Sequence, residues 1–227
     1  RESAVFPHDV ARSPTIEDVE KRLNDPDIIS GVRDTGGRVT LAIYDCKKPV
    51  IAAINGAAVG IGATMTCAMD IRLASENTRI GFVFNKIGIT PEACSTWFLP
   101  RIVGVSQALE WCYTADIIGP EEALSAGLVK SVLPADELLA GAYRIAEKIA
   151  QHCPVAIALT RQMMYRNAAA PHPIEAHKVD SLAIFYASLS SGKEGVQSFR
   201  EKRAANFTDK CSVNMPPFYP WWDQSES

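Results

Sequence analysis

Apolar residues recur at helical spacing over Ile16–Leu23 and again over Gly31–Asp45, where Val39, Ala42, Ile43 and Cys46 fall three and four apart. The Asn24-Asp25-Pro26-Asp27 stretch between them predicts a turn, and Lys48-Pro49 stops the second helix because the residue before proline is pushed out of the α region. The period then changes. Val50-Ile-Ala-Ala-Ile54 is a short unbroken apolar run, which predicts a strand buried on both faces. Gly56, Gly60 and Gly62 follow, and Ala63–Met69 predicts a short buried helix behind that bare turn. Ile71–Ala74 and the alternating Thr78–Phe84 predict further strands. Lys86–Pro91 reads as a loop, with Pro91 in the first turn of a helix that begins near Glu92. Ser106–Thr114 is amphipathic, Pro120–Gly127 has the proline start and glycine stop of a helix, and Val129–Leu133 reads as a strand. Beyond it come helices over Leu138–Gln151 and Val155–Asn167, then a helical pair, Pro173–Ser190 and Lys193–Lys202. Strand, turn and helix alternate early and helices dominate late. That order predicts an α/β core over residues 1–140 and a helical region over 141–227, the soft boundary falling between 135 and 153.

Composition acts mainly by exclusion. Of 227 residues, 47% are hydrophobic and 22% charged, the balance of a globular chain able to bury a core. With 23 basic and 26 acidic side chains the net charge is −3 and the pI about 5.8, so the electrostatic footprint of a nucleic-acid binder is missing. Cysteines stand at 46, 67, 94, 112, 153 and 211, never as Cys-x-x-Cys, which speaks against zinc and against a stapled secreted scaffold. Most of them read as small buried thiols in a reducing compartment. His8, His152, His172 and His177 show no metalloprotease spacing, and no metal is predicted. No apolar run is long enough to span a bilayer, and no charged-then-apolar leader opens the chain. The first residue is Arg1 rather than methionine, and the stretch to Pro14 is aperiodic, so residues are expected to precede it.

Four stretches carry candidate chemistry. The glycines after the first strand give close access to main-chain N–H groups at a helix start; by itself such a turn reads first as tight packing and second as an anion or oxyanion site. A dinucleotide fingerprint fits less well, because Gly60-Ile61-Gly62 is followed by Ala63, Thr64 and Met65 without the third glycine. Glu92 precedes Cys94, Trp97 and Phe98; it reads as a capping acid or, given those apolar neighbours, as a base with a raised pKa. Glu194–Arg203 is a basic helix end with Phe199 on its apolar side. Pro216-Pro-Phe-Tyr-Pro-Trp-Trp222 is aromatic and proline-rich, and reads as a tail docked on its own protein rather than on a partner.

In order, Lys48–Gly56, Ala58–Gly62, Met69–Ser75, Leu99–Gly104, Glu121–Val129 and Glu194–Arg203 through Asn206-Phe207 resemble the crotonase, or enoyl-CoA hydratase/isomerase, family. The resemblance runs from about residue 30 to 207. It implies a spiral of ββα units followed by a helical region that packs between subunits of a trimer, often two trimers stacked. It also implies an acyl-CoA thioester as substrate, with no further cofactor, and two backbone N–H groups holding the thioester oxygen of an enolate. One of them matches Ile61, between Gly60 and Gly62; the other belongs to an Ala-Gly-rich segment that nothing here resembles. Phe199 and Lys202 match positions that pack on, or pair with, the adenine nucleotide end of CoA across a subunit boundary.

The family's hydratases use two glutamates, and the matching positions here hold Thr64 and Phe84. Glu92 instead matches the single glutamate of peroxisomal-type 3-enoyl-CoA to 2-enoyl-CoA isomerases, whose motif is like Pro91-Glu-Ala-Cys-Ser95. The expectation is an isomerase with Glu92 as its base. A hydratase or other enolate-forming crotonase, and a non-catalytic acyl-CoA binder, are the alternatives. Ser225-Glu-Ser227 differs from the Ser-Lys-Leu peroxisomal address, so a bacterial cytoplasm is the expected location.

Overall fold

The computed structural model describes residues 14–221; His8, the aperiodic opening up to Ser13, Trp222 and Ser225–Ser227 lie outside the described residues. The chain forms two compact units. One holds the chain up to Tyr44 with Val50–Ala142, the other Asp45–Pro49 with Tyr143 onward.

The first unit opens on three helices, α1 (Ile16–Arg22), α2 (Pro26–Val32) and α3 (Thr35–Tyr44). Thr15 starts α1 with a capping box: its hydroxyl accepts the Asp18 N–H at 3.1 Å, while the Asp18 carboxylate accepts the Thr15 N–H at 3.0 Å. The segment predicted as a turn begins α2 instead. Asp25 is its N-cap and Pro26 its first residue, where the missing N–H costs no helical bond. The single helix expected over Gly31–Asp45 is interrupted at Arg33-Asp34, and α3 starts afresh where the Asp34 side chain accepts the Gly37 N–H.

β1 (Ile51–Ile54), β3 (Ile71–Ser75) and β6 (Ser131–Leu133) form a parallel sheet in the order β1-β3-β6. β2 (Ala57–Val59), β4 (Arg79–Gly81) and β5 (Ile117–Ile118) form a second, with β2 parallel and β5 antiparallel to β4. Burial alternates along β1: Ala52 and Ile54 are buried, Ile51 and Ala53 half-buried, so one face is covered more fully than the other. No sequence pattern predicts β2, whose length is too short to show alternation; β4 makes it a strand by pairing with it. The strand expected over Thr78–Phe84 is shorter, ending at Gly81, and Phe82 and Phe84 are buried beyond it without ladder bonds. Thr78 fixes the corner between β3 and β4. Its buried hydroxyl donates to Ile54 O at 2.7 Å and accepts the Ser75 N–H at 3.0 Å.

Around the sheets lie α4 (Ile61–Cys67), α5 (Ser95–Val103), α6 (Val105–Thr114) and α7 (Pro120–Ser125). Phe82 stacks on Trp111 of α6 with ring planes 6° apart, and the Trp111 indole N–H donates to Glu122 of α7 at 2.7 Å. Phe82→Ala is expected to destabilise the protein by about 3–5 kcal/mol. A urea midpoint lowered at unchanged slope is the measurement that reads it.

Helix α8 (Leu138–Ala150) contains the division between the units. The second unit goes on with α9 (Pro154–Asn167), α10 (Pro173–Leu189) and α11 (Ser191–Glu201). Its core joins Leu159 of α9 to Val179 and Ala183 of α10, and Phe218 closes it with Met215, Tyr219 and Trp221 packed alongside. The aromatic tail, as far as Trp221, therefore docks on its own unit. Cys46 O receives hydrogen bonds from Arg161 at 2.6 Å and Gln162 at 3.1 Å, which hold Asp45–Pro49 to α9. The six cysteines are unbridged; Cys67, Cys153 and Cys211 are buried, and burial pushes the Cys67 thiol up to about 12. Among the described residues no helix is long and apolar enough to cross a membrane.

Candidate active site

The glycine turn is held from beneath by β4. The Arg79 N–H donates to Gly56 O and the Gly60 N–H to Gly81 O, each at 3.0 Å. Gly56 has φ 115°, and Gly60 takes φ 58° with ψ −125°, conformations that glycine adopts without the clash a Cβ would bring. Ile61 is thereby the first residue of α4, and a first-turn N–H has no acceptor within its own helix. Among the described residues none accepts the Ile61 N–H.

One turn further on, the fully buried Thr64 donates its hydroxyl to Glu92 Oε1 at 2.8 Å. Glu92 itself is not in a helix. Ala93 and Cys94 follow it in the left-handed region, at φ 57° and 55°, so α5 begins only at Ser95 and neither Pro91 nor Glu92 occupies its first turn. Ser95 secures this loop by returning both its N–H (3.0 Å) and its hydroxyl (2.6 Å) to Glu92 O.

The third wall comes from α3. A Cβ at Gly36 would overlap Glu92 Oε2 and stand 2.8 Å from Ile61 Cδ1, so the acid and the residue that opens α4 meet over that bare position. Beside it, Asp34 Oδ1 accepts the N–H groups of Gly37 and, at 3.2 Å, of Ala93. Burial raises the Glu92 pKa above its ordinary value; the Thr64 hydroxyl opposes this, and the hydrogen bond and negative charge of Asp34 add to it.

Of the predicted site residues, the structure brings Glu92, Gly60 and Ile61 together in the first unit. Phe199 and Lys202 belong to the second unit, at the end of α11, where Phe199 is 85% exposed and Lys202 is a left-handed C-cap. Arg203 anchors that end. It pairs with Glu194 at 2.6 Å and Glu201 at 2.6 Å, and with the Asn206 N–H it holds the Glu194 carboxyl down to about 2. Thr64 and Phe84, which the family resemblance sets opposite the hydratase glutamates, are buried and carry no carboxyl group. Among the described residues no three His, Cys, Asp or Glu side chains converge as a metal site would require. Sequence reasoning misses Asp34 and Gly36. A faint signal exists in Gly36-Gly37 inside a helical pattern, since glycine there costs helix stability and so marks a close approach.

The profile of the enoyl-CoA hydratase/isomerase family matches residues 18–210. The chain belongs to that family. Among curated crotonases it is 42% identical over 180 residues to the enoyl-CoA hydratase ACTT3 of Alternaria alternata, covering 78% of this chain and 60% of that protein. It is 37% identical over 179 residues to a crotonyl-CoA hydratase of Syntrophomonas wolfei, covering 77% and 67%. Its fold superposes on the enoyl-CoA hydratase of Bacillus anthracis with a TM-score of 0.74 at 31% identity, over 86% of this chain and 71% of that one. A probable enoyl-CoA hydratase/isomerase from Mycobacterium abscessus gives 0.74 at 31% identity, over 82% and 72%. The crotonase fold is thus established, and the chain spans 60% of the length of the Alternaria relative. These curated relatives bear hydratase names, and none carries the isomerase name that the Pro91–Ser95 motif suggests.

Proposed function

We propose that this crotonase acts on an enoyl-CoA thioester, with Glu92 moving a proton while the enolate charge rests on main-chain N–H groups, that of Ile61 among them. The meeting of the Glu92 carboxyl with Ile61 over Gly36 carries this reading. It puts a carboxyl of raised pKa beside the residue whose N–H opens α4. Shifting a 3-enoyl-CoA to a 2-enoyl-CoA needs one such group. Glu92 takes the proton from the α-carbon, the dienolate forms, and the same proton returns to the γ-carbon, so that no water is consumed. Hydration of a 2-enoyl-CoA is the second reading, favoured by the hydratase names of the relatives. There a water would be activated at Glu92, since Thr64 and Phe84 offer no acid.

Phe199 and Lys202 are assigned to the adenine nucleotide end of CoA, a stacking surface and a point charge for phosphate. Assembly as a homotrimer, or a dimer of trimers, is supported by the apolar Ile184, Phe185, Leu189 and Val196 exposed on α10 and α11.

Purified protein given 3-enoyl-CoA and, separately, 2-enoyl-CoA tests the proposal by chromatography of the products. Conversion of the first to 2-enoyl-CoA is the expected result. Formation of 3-hydroxyacyl-CoA from the second, without isomerisation, replaces it with hydration. Binding of both thioesters with no product makes the chain an acyl-CoA binder instead.

A further inference from the structure

We propose that Asp34 is a positioning residue for Glu92: it latches the loop that carries Glu92 onto the start of α3 and faces the Glu92 carboxyl with a second negative group. The inference rests on Glu92 being the proton-transfer residue, and on contacts that no capping role for Asp34 requires.

A helix cap needs Asp34 to accept the N–H of Gly37, which it does. The same oxygen also accepts the N–H of Ala93, 59 residues away, at 3.2 Å. Ala93 is the residue after Glu92 and the first of two consecutive non-glycine residues in the left-handed region, a conformation that persists only where surrounding contacts hold it. The Asp34 latch is one such contact, and the Ser95 bonds to Glu92 O are another. Gly36, two residues past Asp34, leaves the space in which the latched Glu92 carboxyl lies. Thr64 holds the opposite oxygen. The acid is thus gripped from α4, from α3 and through its own backbone.

Among the described residues, few charged or titratable groups act on it. Asp34 faces it from the start of α3. Cys94 stands on its own loop, and Arg33, at the end of α2, acts on that thiol. Helix α4 has no charged residue, and Arg101 of α5 lies over Trp97 instead. Asp34 is therefore the group able to keep a proton on Glu92 by charge, which a proton-returning residue needs.

Two variants separate charge from latch. Asp34→Asn keeps an oxygen for both N–H groups and removes the charge; Asp34→Ser keeps a helix cap but is too short to reach Ala93. The Glu92 carboxyl is titrated by 13C NMR of glutamate-labelled protein, assigned by the signal lost in Glu92→Gln. Enoyl-CoA turnover is followed across pH in parallel. Both variants are expected to move the Glu92 titration, and the acid limb of kcat, to lower pH. Asp34→Ser is expected in addition to lower kcat on the order of a hundredfold, with KM little changed, because the acid loses its geometry. A Glu92 titration that stays in place in whichever variant folds overturns the proposal. Should the titration move while Glu92→Gln keeps full activity, the Asp34 contact stands and the assignment of Glu92 as the reacting group falls.

Discussion

Glu92→Gln is expected to lower turnover of an enoyl-CoA by about 10²–10⁴-fold, the range that a general acid–base group contributes. The glutamine keeps the shape of the side chain, and its amide oxygen can still accept the Thr64 hydroxyl that now lies 2.8 Å from Oε1. What it loses is the capacity to take and return a proton. Stability moves the other way. The folded protein raises the Glu92 pKa above its usual 4.5 through burial and Asp34, so ionising it disfavours the folded state. The stabilisation that the protonated acid brings is complete below that usual value and is lost as pH rises through the raised one. The variant should therefore be at least as stable as the parent at neutral pH, with the difference fading in acid. Thermal unfolding at several pH values reads the sign, and an unchanged thioester affinity shows that the loss lies in the chemical step. Full turnover by the variant would remove Glu92 from the mechanism.

Gly36→Ala should produce the second large effect, and it sets stability against activity. Gly36 is a helical residue of α3 without a positive φ, where alanine is ordinarily favoured over glycine by up to about 1 kcal/mol. The atoms nearest the added Cβ are the far ends of two flexible side chains, the Glu92 carboxyl and Ile61 Cδ1. Both ends can turn aside; Glu92 then gives up its Thr64 hydrogen bond, while the burial and Asp34 charge that raise its pKa are relieved at the same time. The melting temperature is thus expected to hold or rise, whereas kcat should fall by about a hundredfold because a displacement near 1 Å is enough to spoil proton transfer. A fall in both together would mean that the glycine serves packing rather than the acid. An unchanged kcat would show that the carboxyl does not work from the position over Gly36.

The helices of the second unit, α9, α10 and α11, fall within a residue or two of the apolar periodicities that predict them. Long repeats of spacing three and four leave little choice of structure, because only one face of such a helix can be buried. Short elements are another matter. Pro26 can close a turn or open a helix with equal ease, and the Asp25 side chain, capping at 3.0 Å, opens the helix. Ala57–Val59 becomes a strand only beside Arg79–Gly81. Glu92 looks like the start of a helix in the sequence, yet its carbonyl is taken by Ser95 and two left-handed residues follow it. These outcomes depend on partners many positions away.

The family blocks, the glycine turn at Gly56–Gly62 and the single acid in an apolar setting at Glu92 are legible along the chain, because each is written in neighbouring residues. That Glu92 lies against Thr64, Gly36 and Asp34, residues 28, 56 and 58 positions before it, emerges only on folding. A pKa is set by what surrounds a carboxyl group in space, by buried area, hydrogen-bond donors and like charge within a few ångströms, and those neighbours are assembled only when α3, α4 and the loop before α5 come together.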